Sequence, residues 1–137
     1  MKVITVASFN GGQGKSSTAL HLSRILAERF KTLMVDCEPQ SSLTTWVLGH
    51  LLDPQYNSVR EVLEEKASVE ESVFQLSEKL FLLPADASLI EVEAKLQSSG
   101  RGVYLLRKRL KQVAEQFDYV VVDTPPETIQ LGMTALG

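Results

Sequence analysis

Residues 2–20 read KVITVASFNGGQGKSSTAL, an apolar β-branched run, a glycine cluster, a lysine and then hydroxyls leading into a helical pattern. Val3-Ile4-Thr5-Val6-Ala7 has the composition of a strand covered on both faces. Ser16 to Phe30 places Leu20, Leu22, Ile25 and Leu26 at helical spacing. Between them, Gly11, Gly12 and Gly14 allow a tight turn whose N–H groups approach an anion, and Ser16 opens the helix. A helix start adds unpaired donors and a partial positive charge. A glycine turn with a capping serine is the plainer alternative, but strand, G-G-x-G-K-S-S and helix in that order favour a phosphate cradle. Lys15 then reaches the β- and γ-phosphates, the Ser16 hydroxyl suits Mg²⁺, and Ser17 suits the α-phosphate. Phe9 stands where the commoner G-x-x-x-x-G-K-[ST] pattern has its first glycine, so the loop is a variant form.

Working outward, residues 31–36 read as a second buried strand, giving a β–loop–α–β unit with parallel strands and a right-handed crossover. Short helices are expected at Ser41 to Gly49 and Val59 to Lys66, around a loop marked by Asp53-Pro54 and Asn57. A third strand at Lys79 to Pro84 is stopped by proline, and helices follow at Ser88 to Gln97 and Arg101 to Gln116. Tyr119-Val120-Val121-Val122-Asp123 is the clearest strand of all. The alternation implies a doubly wound, mainly parallel α/β sheet with helices on both faces, in one domain over residues 1–137, and the phosphate-cradle motif after its first strand makes the expected fold a P-loop NTPase.

The composition narrows the function. The 137 residues are 44% hydrophobic and 23% charged, as in ordinary globular domains able to bury a core. A net charge of −3 gives no global drive toward nucleic acid. Cys37 is the sole cysteine, which excludes a disulfide framework or thiolate cage and argues against an iron–sulfur reductase. No stretch approaches the ~20 apolar residues of a membrane span, and none reads as a secretory leader, so the cytoplasm is the expected compartment.

Gly11-Gly12-Gln13-Gly14-Lys15-Ser16-Ser17 resembles the deviant Walker A box of the ParA/MinD family, usually K-G-G-x-G-K-[ST]-[ST]. The resemblance continues through Asp36-Cys37-Glu38-Pro39-Gln40, similar to that family's D-x-D-P-Q, and through FDYVVVDTPP at residues 117–126. It covers nearly the whole chain. It implies an ATPase that binds ATP or ADP with Mg²⁺, forms a nucleotide-dependent homodimer, and positions a plasmid, chromosome or protein cargo through a ParB- or McdB-like adaptor. The cytoplasmic nucleoid is one expected surface, with nonspecific DNA contacts made by parts beyond LGMTALG, where family members continue.

The resemblance also assigns roles. Asp123 is expected to hold Mg²⁺ through water, with Asp36 supporting the same shell; capping a following helix is the alternative duty of Asp36. Glu38 takes the place of the acid that orients the attacking water, its arm one methylene longer, which implies slow hydrolysis. Asn10 stands where the family's signature lysine crosses to the partner's phosphates; it offers hydrogen bonds without a charge, and the carboxysome-positioning McdA-like branch is similar in tolerating that loss. With these departures, a nucleotide-responsive scaffold of negligible turnover is the alternative function.

Weaker signals complete the reading. The helix from Arg101 sets Val103, Leu106, Leu110, Val113 and Phe117 on one face and Tyr104, Arg107, Lys108 and Lys111 on the other, a basic strip that could meet phosphate backbones but, with Glu115 on the same face, reads better as a solvated surface. Trp46 is expected in core or loop packing, and His21 and His50 lack metal-ligand spacing.

Overall fold

The computed structural model describes residues 1–6, 14–99 and 102–124. In chain order the elements are β1 (Lys2–Val6), α1 (Gly14–Leu26), β2 (Thr32–Asp36), α2 (Ser42–Leu48), α3 (Val59–Leu63), β3 (Phe74–Gln75), β4 (Leu80–Leu83), α4 (Leu89–Ser99), α5 (Gly102–Lys111) and β5 (Tyr119–Asp123). The strands form one sheet in the order β1-β5-β2-β4-β3. β1, β5, β2 and β4 run parallel, and β3 pairs antiparallel with β4.

The three inner strands are mostly apolar because both faces are covered, with Asp36 and Asp123 at the carboxyl ends of two of them. Alternate side chains sort to opposite sides. Leu33, Val35, Phe81, Leu83, Val120 and Val122 join one core with residues of α3, α4 and α5. Met34, Leu80 and Leu82 join another with Leu20 of α1 and Leu43 of α2. Helices therefore flank both faces, as a doubly wound sheet requires. Each fully buried leucine or valine contributes about 1.5–3 kcal/mol.

The expected architecture stands, with local corrections. β1 runs one residue earlier than expected, and Ala7 lies outside the described residues. It is half-exposed rather than covered on both faces, because among the described residues its only strand neighbour is β5. β3, a two-residue strand, carries no periodicity from which to read it, yet it covers the outer side of β4. α1 and α5 end earlier than their apolar patterns because the chain tightens into i→i+3 bonds. Arg29 N–H donates to Leu26 O at 3.2 Å and Val113 N–H to Leu110 O at 3.1 Å. Leu106, Leu110, Val113 and Phe117 still pack inward, while Arg107, Lys108 and Lys111 stay exposed.

Trp46 is the clear correction: it is 51% exposed. α2 turns Leu43 and Thr44 inward, and a residue two positions from Thr44 falls on the opposite side of the helix. His21 and His50 are exposed.

Candidate functional site

The carboxyl ends of β1, β5 and β2 lie side by side. Asp123 ends β5 in register with Val6 on one side and Asp36 on the other. The chain crosses from β1 to β2 by way of α1 and returns from β4 to β5 by way of α4 and α5, helices on opposite faces of the sheet. The crevice beside such a reversal is where open α/β sheets bind ligands.

α1 starts at Gly14 and brings Ser16, only 5% exposed, onto this edge. The Ser16 hydroxyl donates to Asp123 Oδ2 at 2.6 Å, across 107 residues of sequence. Asp123 is fully buried, and Thr124 fastens the adjacent backbone by donating its N–H and Oγ1 to Val6 O. Ser17 is half-buried beside them, and Lys15 lies in the first turn of α1. Asn10, Gly11, Gly12 and Gln13 lie outside the described residues.

Asp36 is fully buried and engaged by its own chain. Its Oδ2 accepts from Thr44 N–H at 3.0 Å and Thr44 Oγ1 at 2.7 Å, and its Oδ1 accepts from Glu38 N–H at 3.2 Å. Local capping of α2 fails: Ser41, at the N-cap, has φ 53° and makes no side-chain cap bond. Asp36 instead takes the N–H of the third helical residue from five positions before the N-cap. Asp36 is therefore not the N-cap of α2, although its carboxyl accepts from the first turn of that helix. Burial pushes its carboxyl up to about 7, opposed by the Thr44 hydroxyl and helped by the nearby Asp123 charge.

Glu38 is half-buried in the loop between β2 and α2, its carbonyl accepting from Ser41 N–H at 2.9 Å. The beginning of that loop is tied to β5 by Cys37 N–H donating to Asp123 O at 2.8 Å. Sequence reasoning placed Thr44 and Ala85 within family-like stretches but gave neither a role. Thr44 Oγ1 also accepts from Ala85 N–H at 3.0 Å, a contact with no local signature because it spans 41 residues.

The donor set suits a hard cation. Ser16 and Asp123 offer a hydroxyl and a carboxylate in contact at a buried edge, the oxygen ligands Mg²⁺ prefers. Among the described residues no cluster of three or more His, Cys, Asp or Glu could cage a metal alone. A cation held here takes its remaining ligands from water or phosphate oxygens, the usual mode for Mg²⁺. Among the described residues, no helix is long and apolar enough to cross a membrane.

Comparison with known proteins agrees with this geometry. A family model described as an AAA domain matches residues 1–137. Maintenance of carboxysome distribution protein A from Synechococcus elongatus is 44% identical, covering 100% of this chain and 54% of the relative. A ParA family protein from Chlamydia trachomatis is 38% identical over 99% of this chain and 54% of its own length. The solved ATP complex of a Cyanothece McdA variant superposes with a TM-score of 0.87 at 37% identity, covering 98% of this chain and 52% of that one. The chain thus spans about half the length of the relatives it matches. A match along the whole chain, relatives of these names and a shared fold lead to one conclusion: this chain belongs to the ParA-type family of deviant Walker A ATPases, within the AAA-domain class.

Proposed function

We propose that this chain is the nucleotide-binding part of a ParA-type switch that binds ATP or ADP with Mg²⁺, hydrolyses ATP slowly, dimerises with nucleotide, and positions a cargo. The observation that carries the proposal is the buried Ser16–Asp123 contact directly after the glycine-rich loop. The amides of residues 10–15 and the Lys15 ammonium take the phosphates, and Ser17 takes the α-phosphate. Ser16 and Asp123 would hold Mg²⁺, Asp123 through water. Asp36, its oxygens occupied by Thr44 and Glu38, supports that shell from behind. When bound, the metal would neutralise charge developing on the phosphoryl oxygens. Glu38 orients the attacking water on its longer arm. Asn10 donates hydrogen bonds across the dimer in place of a charge. The likeness to carboxysome-distribution relatives supports a carboxysome-like cargo; a ParB- or McdB-like adaptor and a cytoplasmic setting with the nucleoid as one surface complete the proposal.

Calorimetry tests the binding. Wild type should bind Mg·ATP, and Lys15→Ala and Ser16→Ala should each weaken it by about tenfold or more. Folded wild-type protein giving no heat with any magnesium nucleotide would refute the proposal. Single-turnover hydrolysis then separates the switch from a scaffold that binds without turnover.

A further inference from the structure

Thr44 has no role assigned above, yet it is fully buried and its hydroxyl uses both of its capacities. It donates to Asp36 Oδ2 at 2.7 Å and accepts from Ala85 N–H at 3.0 Å. Its backbone N–H supplies a second bond to the same carboxylate oxygen. Three elements meet at this one side chain: the end of β2, the first turn of α2, and the segment leaving β4. That segment is also gripped from its other side, since Val59 N–H at the start of α3 donates to Pro84 O at 2.7 Å. From Asp36 the chain of bonds runs on through Oδ1 to the N–H of Glu38.

We infer that Thr44 is a positioning residue: its hydroxyl latches the segment after β4 to Asp36 and thereby sets the loop that carries Glu38. The loop is also held by Cys37 N–H on Asp123 O and by Ser41 N–H on Glu38 O, and the Asp36–Thr44 bonds close it onto α2. Ser41 sits in the left-handed region without a glycine, a backbone state that persists only where surrounding contacts impose it. The Asp36–Thr44 bonds are such contacts, closing a ring around residues 36–44. A displacement of the segment after β4 would therefore travel through one hydroxyl to Glu38. The catalytic part of the inference rests on the ATPase reading; the latch itself does not.

Two substitutions separate the latch from mere packing. Thr44→Val keeps the shape and removes donor and acceptor, while Thr44→Ser keeps the hydroxyl. In hydrogen exchange, Thr44→Val should speed the Ala85 and Glu38 amides together by about tenfold or more, with Thr44→Ser close to wild type. In single turnover, Thr44→Val should bind Mg·ATP within about threefold of wild type and hydrolyse it about tenfold or more slowly, with Thr44→Ser restoring the rate. Unchanged exchange and turnover in Thr44→Val, or a Thr44→Ser variant as slow as Thr44→Val, would overturn the inference. If wild type binds no magnesium nucleotide, the ATPase reading falls and exchange alone decides the latch: joint loss of protection upholds it, unchanged protection overturns it. If Thr44→Val does not fold, wild-type exchange decides. The Ala85, Thr44 and Glu38 amides should then open as one unit with one denaturant dependence, and independent opening refutes the coupling.

Discussion

Raising the pH from 4.5 to 8 should destabilise this protein through Asp36 alone. The carboxyl is fully buried, and its pKa lies at about 7 against an ordinary 3.8. Between those values the folded chain holds a proton that the unfolded chain has released. Stability therefore falls as pH rises through the window and levels off above about 7. At about 1.4 kcal/mol per pH unit, the full displacement corresponds to roughly 4 kcal/mol. That is a large share of the ~5–15 kcal/mol typical of a domain. Urea unfolding in the presence of a chelator, at pH steps across the window, measures it against Asp36→Asn, which cannot titrate. The variant stays neutral at every pH, as wild-type Asp36 is in the folded chain below about 7, and so supplies the reference curve. The stability of wild type relative to that reference should fall by about 3–4 kcal/mol up to neutrality and then stay constant. Parallel curves for the two proteins would show that the three donors outweigh burial and that Asp36 ionises as an ordinary carboxylate.

Further outcomes follow from other contacts. A double-mutant cycle of Ser16→Ala with Asp123→Asn, read by denaturant unfolding without nucleotide, should give a coupling of about 1.5–3 kcal/mol for a buried hydroxyl–carboxylate bond; a value near zero would remove the pair from the folded core. Gly49→Ala should cost about 1 kcal/mol by thermal melting. Gly49 closes α2 at φ 82° and an added Cβ would meet nothing within 4 Å, so the loss is purely conformational. Shortening the reaching arm with Glu38→Asp should raise steady-state ATP turnover, whereas an unchanged or lower rate would take Glu38 out of the mechanism.

How much of this was legible in the chain differs from element to element. The Val120–Asp123 run and the G-G-x-G-K-S-S loop are local signals, apolar β-branched runs for strands and glycines for a phosphate turn, so strand identity, the two-faced sheet and the place of the proposed nucleotide site follow from composition and order. Trp46 was misread because an aromatic among threonines says nothing about which way α2 faces. β3 was missed because two residues hold no period.

What only tertiary structure decided was the set of partnerships between distant residues. Ser16 meets Asp123 across 107 positions and Ala85 meets Thr44 across 41, distances at which sequence spacing carries no information. Asp36 shows the division best. Its identity and its place at a strand end were visible from the start, and its duty was not. Burial and the direction of α2 give its carboxylate to Thr44 and Glu38, because a charge removed from water takes whatever donors the packing brings within reach.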